Sequence, residues 1–332
     1  MNKILSIVVP AYNIEKYIKK CLDSFLDFAD TNDLEVLIIN DGSTDMTGSI
    51  VEKFCEKYPK LFKCITQENA GHGAAINTGL KYSQGKYFMI VDGDDWVNKR
   101  DFQILVGKLK KIDADLVVNN YTRVKNKTEK LVCSNAPYYN KTVKFIDLDI
   151  PKYYFVLSSI CYKTEILKGM NLVLPEHIFY EDLVYIIEPM IYINNLVFLD
   201  ISPYQYRVGI ESQSTARENM VKNYEQHKKI VLRELEYYEE NKNFSIQSQY
   251  IKSIVGKALV DNFYIMLQEE KNIKNAKKEL MEFEKLLNLQ YSEFYPILDE
   301  QIFLFKYLRR DGFRFLNIYR RMVAIKRRLL KG

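Results

Sequence analysis

Three carboxylates set close together mark where this sequence could do chemistry. In KYFMIVDGDDW (86–96), an apolar run from Tyr87 to Val91 stops at Asp92, Asp94 and Asp95, with only Gly93 between the first two. Like charges this near repel, and burying them without a counter-cation is costly. A hard divalent ion, Mg²⁺ or Mn²⁺, suits such a site because carboxylate oxygens bind it well. The plain alternative is a strand that ends in a polar turn. Five apolar residues are too few for a helix core and fit a strand buried on both faces.

The elements that must position these carboxylates can be read upstream. Ile4–Val9 is a short apolar strand ending at Pro10-Ala-Tyr-Asn13, and Ile14, Ile18, Leu22 and Phe25 then recur at helical spacing. Leu34–Ile39 is a second strand, stopping at Asn40-Asp41-Gly42-Ser43. A helix marked by Ile50, Val51 and Phe54 leads to a third strand, Leu61–Thr66. Gln67–Gly71 is a turn, His72–Tyr82 a helix, and Lys86–Val91 the fourth strand. This alternation calls for an α/β fold with a mostly parallel sheet, helices on both faces and right-handed crossovers. Ligands of such sheets bind at the carboxyl ends of the strands. There the sequence places Tyr12 and Asn13, Asp41, Asn69, and Asp92 with Asp94, so four loops converge on one crevice.

Downstream, residues 101–112 read as a helix, and Ala114–Tyr121 and Arg123–Val132 as two strands around a turn. No periodicity emerges over 137–157. Glu181–Asn194 is helical in pattern, with Pro189 as an interruption. Leu196–Leu199 and Tyr204–Val208 read as two further strands. Residues 217–331 hold only Gly256, Gly312 and Pro296 as breakers. A domain boundary is therefore expected near 215, separating 1–215 from a helical region, 216–332, of four or five helices.

Composition narrows the class. The 332 residues are 47% hydrophobic and 27% charged, which is a globular balance with ample core. The five cysteines are odd in number, scattered and free of CxxC spacing, so reduced thiols in the cytoplasm are expected and a zinc site is not. The first residues lack a signal-peptide pattern, and no stretch reaches the length of a membrane span. The net charge of +5 is uneven: from Ile302 onward there are ten Lys/Arg and one acidic residue, Asp311. The other 301 residues carry 38 basic against 42 acidic side chains, which is not the profile of a nucleic-acid-binding domain. Gly71-His-Gly73 lacks the third glycine of a dinucleotide fingerprint, and no Walker A motif occurs.

Four segments together resemble the family 2 glycosyltransferases, which have the GT-A fold: VVPAYN (8–13), INDGSTD (39–45), ENAGHGAAINTGL (68–80) and VDGDDW (91–96). A fifth, FYEDLVY (179–185), resembles the Glu-Asp motif near the acceptor site of inverting members. The resemblance covers roughly 1–215. It implies that Ala11, Tyr12 and Asn13 flank the uracil and ribose of a nucleotide-sugar donor, with UDP the expected nucleotide, and that Asp41 accepts a hydrogen bond from the base. Asn69 and His72 would lie beside the nucleotide and its phosphates. Asp92, with Gly93 next to it, would face the ribose, and Asp94 would coordinate the metal, Mn²⁺ or Mg²⁺, that bridges the pyrophosphate. Asp182 would be the general base, Glu181 would position the acceptor, and Tyr206-Arg207 with Ser212 and Ser214 would close over the diphosphate.

Each residue also has a structural reading. Asp41 suits a turn, Glu181 and Asp182 suit the dipole of a helix start, His72 suits a helix N-terminus, and Arg207 suits an ion pair. Within enzymes, a nucleotidyltransferase also uses carboxylates and a metal on a similar sheet. A non-catalytic sugar-nucleotide-binding scaffold is the alternative outside enzymes.

The basic tail needs its own account. On a helical wheel, Phe315, Leu316, Ile318, Tyr319, Met322, Val323, Ile325, Leu329 and Leu330 fall on one half. Arg314, Arg320, Arg321, Arg327, Arg328 and Lys331 fall on the other, with Lys326 intruding. An apolar half opposed by a cationic half is the pattern of a helix lying in a membrane interface. The expected partners are therefore an anionic membrane surface and a glycan or lipid-linked acceptor, at the inner face of the cell membrane. Packing on its own domain or on a second subunit is the alternative. The donor sugar, the linkage and the number of subunits are not encoded in any motif.

Overall fold

The computed structural model describes residues 3–26, 31–126, 128–134, 136, 138–149, 155–209, 217–243 and 245–329. The chain divides into two compact units, Met1–Ile210 with Phe244–Gln247, and Glu211–Asn243 with Ser248–Gly332.

The first unit opens as the alternation requires: β1 (Leu5–Ala11), α1 (Ile18–Asp23), β2 (Leu34–Asn40), α2 (Thr47–Lys57), β3 (Phe62–Thr66), α3 (His72–Tyr82) and β4 (Tyr87–Ile90). Strands β1 to β4 form a parallel block in the order β3-β2-β1-β4. The remaining elements are β5 (Trp96–Val97), α4 (Lys99–Leu109), β6 (Leu116–Lys125), β7 (Thr128–Val132), β8 (Thr142–Lys144), β9 (Ile160–Lys163), α5 (Thr164–Gly169), α6 (Asp182–Ile187) and β10 (Asn195–Arg207). They extend the sheet to β3-β2-β1-β4-β9-β6-β10-β5, with β7 on β6 and β8 on β10. Within this extension β6 and β10 are parallel, whereas β9 runs antiparallel to both β4 and β6.

Strand periodicity fixes which residues hold the layers together. Leu5, Ile7, Val9 and Ala11 of β1 share one buried cluster with Ile18, Cys21 and Leu22 of α1, Val51 of α2, and Phe102, Leu105 and Leu109 of α4. Val8 points the other way, against α3, where a Cβ added to Gly79 would come within 2.4 Å of it. Helices therefore cover both faces of β1.

Three local expectations are corrected. The strands read as Ala114–Tyr121 and Arg123–Val132 turn at Asn126 (φ 55°), so β6 runs on to Lys125. The two strands read around Ser202-Pro203 are one, β10, whose pairing with β6 shifts register between Leu199 and Tyr204. The helix at 181–194 is α-helical only to Ile187 and continues as a 3-10 turn from Glu188 to Tyr192, with Pro189 in its first turn.

The second unit is helical among its described residues: α7 (Arg217–Lys222), α8 (Tyr224–Asn241), α9 (Ser245–Tyr264), α10 (Ile273–Gln290), α11 (Tyr295–Gln301), α12 (Phe305–Arg310) and α13 (Leu316–Leu329). Seven helices thus stand where four or five were expected, because Pro296 and the turns at Leu304 and Gly312 cut the tail into short pieces. Phe263 packs edge-on against Phe305 at 4.8 Å and tilts on Phe283 at 5.5 Å. No helix among the described residues is long and apolar enough to cross a membrane.

The tail's single apolar half is divided by the structure. Leu316 and Tyr319 are buried in the unit, whereas Phe315, Ile318, Met322 and Ile325 are 57, 55, 41 and 57% exposed. Arg320 turns inward, its guanidinium donating to the carbonyls of Leu267 (2.7 Å) and Met266 (2.8 Å). Leu330 and Lys331 lie outside the described residues, as do Ser212 and Ser214.

Candidate active site

The crevice is assembled from the carboxyl ends of β1, β2, β3 and β4, and its first organiser is Asp41. This buried carboxylate accepts four hydrogen bonds from one loop. Gln67 Nε2 (2.8 Å) and Ala70 N (3.0 Å) reach Oδ1, and Asn69 Nδ2 (3.1 Å) and Gly71 N (2.8 Å) reach Oδ2. The resemblance gives this carboxylate to a nucleotide base; in the structure its lone pairs are spent on clamping the loop that leads into His72. Gly71 sits at φ +93°, a left-handed conformation that glycine adopts without strain, and lets α3 start directly at His72.

A second lock joins the loops after β1 and β2. Asn13 Oδ1 accepts from Thr44 N (2.8 Å) and Asp45 N (3.3 Å), while Asp45 Oδ2 accepts from Glu15 N (3.1 Å). Ala11 ends β1 in the core, its carbonyl taken by Asp41 N at 2.9 Å. Tyr12, next along, is 48% exposed and carries an uncovered ring.

His72 connects two carboxylates that the sequence separates widely. Its Nδ1 lies 2.6 Å from Glu181 Oε1 and its Nε2 lies 2.9 Å from Asp92 Oδ1. Desolvation of the ring lowers its pKa. The hydrogen bonds to Asp92 and Glu181 outweigh that effect and hold the imidazole well above its ordinary range. The sequence reading places His72 beside the phosphates. The structure places it between the Asp92 side and the Glu181 side of the crevice.

Asp182, beside Glu181, opens α6. Burial first, and then the Glu181 charge, push its carboxyl up to about 6, while His72 pulls it down. That value leaves it mostly ionised at neutral pH yet basic enough to take a proton.

Behind Asp92 the structure holds a group that the sequence did not disclose. Tyr204 OH lies 2.7 Å from Asp95 Oδ2 and 3.3 Å from Asp92 Oδ2, and accepts from Asp92 N at 3.2 Å. Burial, then the Asp92 and Asp95 charges, raise this phenol well above its usual range, so it stays a donor. The antiparallel pairing of β5 with β10, Val97 to Tyr204 and Trp96 to Gln205, delivers it there. The same pairing brings Arg207, whose backbone N donates to Asp95 Oδ1 (2.6 Å) and whose Nε donates to the Asp94 carbonyl (2.7 Å). The guanidinium stands 4.8 Å from the ring centroids of both Tyr17 and Trp96, and the Lys20 ammonium lies 3.1 Å from the Trp96 centroid. One tyrosine among 25, more than a hundred residues from the aspartates, gives no sequence signal.

Asp94 differs from its neighbours. No side-chain donor among the described residues reaches its carboxylate, and burial followed by the Asp92 charge raises it to about 6. No group of three or more His, Cys, Asp or Glu among the described residues could cage a metal. A donor set of Asp94, with Asp92 beside it, therefore fits a hard ion that brings most of its shell as water and phosphate oxygens, as Mg²⁺ and Mn²⁺ do. Gly93 is needed between them for space, since an added Cβ would fall 2.9 Å from the Pro10 carbonyl and 2.3 Å from Ile14 Cδ1.

With this geometry in view, the comparisons with known proteins are informative. The model of glycosyl transferase family 2 matches residues 6–161. The likeness to glycosyltransferase family 2 lies in that segment, just under half of the chain. It is 42% identical to glycosyltransferase GlyA of Streptococcus pneumoniae over 117 residues, which are 35% of this chain and 16% of that protein. It is 26% identical to the Bacillus subtilis protein EpsH over 325 residues, covering 90% of this chain and 85% of that one. Alignments to three curated relatives span between 16% and 40% of their lengths. The structure of S. aureus TarS 1–349 in complex with UDP-GlcNAc superposes with a TM-score of 0.68 at 22% identity, over 98% of this chain and 92% of that one. At that identity the likeness speaks for the GT-A fold alone. That superposition takes in residues of both units, whereas the family model runs from β1 and ends within β9.

Proposed function

We propose that this chain transfers a sugar from a nucleotide-sugar, a UDP-sugar, to a hydroxyl of a glycan or lipid-linked acceptor at the inner face of the cell membrane, with inversion and with a divalent metal. One observation carries the reading: His72 spans Asp92 and Glu181, so the carboxylates assigned to donor and acceptor stand on either side of one imidazole. The UDP-GlcNAc held by TarS supports the choice of nucleotide.

Asp182 accepts the proton of the acceptor hydroxyl as its oxygen attacks the anomeric carbon. The bond from that carbon to the diphosphate oxygen breaks, and its electron pair leaves with the nucleoside diphosphate. One base and one direct displacement give inversion. Glu181, fixed by His72, orients the acceptor. Tyr12, exposed at the rim, offers its ring face to the base, and Asp41 shapes the base pocket through Asn69. Tyr204 and Arg207 hold the Asp92–Asp95 turn in place. A divalent ion held by Asp94, with Asp92 beside it, would stabilise the charge that develops on the leaving diphosphate.

Asp182→Asn tests the assignment. It should lower UDP release by about 10²- to 10⁴-fold, while UDP affinity measured by calorimetry stays within twofold or so of wild type. Undiminished turnover would remove Asp182 from the role of base. Release of pyrophosphate in place of UDP would make the chain a nucleotidyltransferase, and absence of any turnover in the wild type would favour a binding scaffold.

A further inference from the structure

We propose that α13 docks on an anionic lipid surface through the stripe Phe315, Ile318, Met322 and Ile325, with Arg314 and Arg321 reaching the headgroups. The proposal names the surface behind the membrane placement above and rests on that placement, but not on the chemistry of the crevice.

The stripe is what the fold leaves over. The second unit takes Leu316 and Tyr319 of α13 into its core and ties down Arg320, so one side of the helix is spent on packing. Phe315, just before the helix, and Ile318, Met322 and Ile325 within it recur at intervals of three, four and three residues, the spacing of one line along a helix. All four are more than 40% exposed. Arg314 and Arg321 are exposed beside the line, and from Gly312 to Gly332 there are seven Lys/Arg and no acidic residue. Asp311, just before, is occupied in accepting the backbone N of Arg314 at 3.1 Å.

Three occupants could cover such a line, and charge and area separate them. The three-four-three spacing is also that of a helix-pairing seam, but it lasts less than two heptads, where about three to four are needed for a stable coil. In a pair of identical helices the flanking positions would bring Arg314 and Arg321 of one copy near the cations of the other. Four side chains also fall far short of the roughly 20–30 residues a side that a stable interface takes. A soluble polyanion would satisfy the arginines and leave the apolar line in water. An anionic bilayer satisfies both, since the side chains enter the acyl boundary while the cations meet phosphates.

The test is co-sedimentation of the full chain with vesicles of phosphatidylcholine alone or with roughly a third phosphatidylglycerol. The wild type should partition about tenfold or more better into the anionic vesicles, and high salt should weaken it. Ile318→Glu with Met322→Glu should reduce that partition about tenfold or more. Arg314→Gln with Arg321→Gln should remove most of the preference for anionic lipid. Unchanged melting temperatures would show that both double variants are folded. Equal partition of wild type and the Glu variant, or wild type left in the supernatant of both vesicle types, would overturn the proposal. So would a wild-type dimer that the Glu variant dissolves without any change in vesicle binding. UDP release in vesicle-free buffer, measured on the same samples, keeps the two readings apart. Its absence with vesicle binding intact would strike sugar transfer alone, and its presence without vesicle binding would strike docking alone.

Discussion

The crevice at the strand ends and the face of α13 follow opposite rules. In the crevice, polar groups are turned inward and matched: Asp41 takes four donors, Asp92 takes His72 and Tyr204, and Asp95 takes Tyr204 and the Arg207 backbone. Along α13, apolar groups are turned outward and left unmatched. A fold tolerates either arrangement only where something compensates it. In the crevice the protein supplies most of the compensation itself, although no side-chain donor among the described residues reaches the Asp94 carboxylate. On α13 the proposed lipid surface would supply the compensation from outside the unit. The contrast teaches that chemistry is written in saturated networks and docking in unsatisfied surface.

Perturbing the two regions should therefore have very different consequences. The largest effect is expected for Asp41→Ala, which orphans four donors of the 67–71 loop. Denaturant unfolding should show a loss of about 3 kcal/mol or more, and the variant should fail to bind UDP because His72 is no longer placed. A smaller and graded effect should follow pH. Asp182 must be ionised to act as base, and its carboxyl titrates at about 6. kcat/KM should be flat above neutrality and fall as pH drops through about 6, approaching tenfold per pH unit below it. A profile flat down to pH 4 or so would deny that base its role. The smallest effect is expected on the exposed face, where Ile318→Glu should change the unfolding free energy in vesicle-free buffer by less than about 0.5 kcal/mol. A loss as large as that of Asp41→Ala would mean that the stripe is packed within the chain.

How much of this could be read from the sequence depended on whether the signal was local. The β-α alternation from β1 to β4 announces itself because each strand and helix carries its own periodicity and its own polar stop. Strand β9 was not legible. It has four residues, follows a stretch without periodicity, and becomes a strand by slotting between β4 and β6. Ser202-Pro203 looked like a break in β10, yet the sheet absorbs it with a register shift. In the site, Asp92, Asp94, Glu181, Asp182 and Arg207 stood out by type and motif. Their organisers did not: Tyr204, Tyr17 and Gln67 matter through contacts that only the folded chain creates. The wheel of the tail showed an amphipathic helix but not which part of its apolar half the protein keeps for itself, since that depends on what α13 packs against.

The most direct test of the central claim is calorimetric titration of UDP into wild type and Asp94→Ala, each with Mn²⁺ and with chelator. If the crevice holds a metal-bridged nucleoside diphosphate, wild type with Mn²⁺ should bind UDP saturably. Chelation and the alanine variant should each weaken that binding about tenfold or more. UDP binding of equal strength in all four titrations, or none in any of them, would contradict the account.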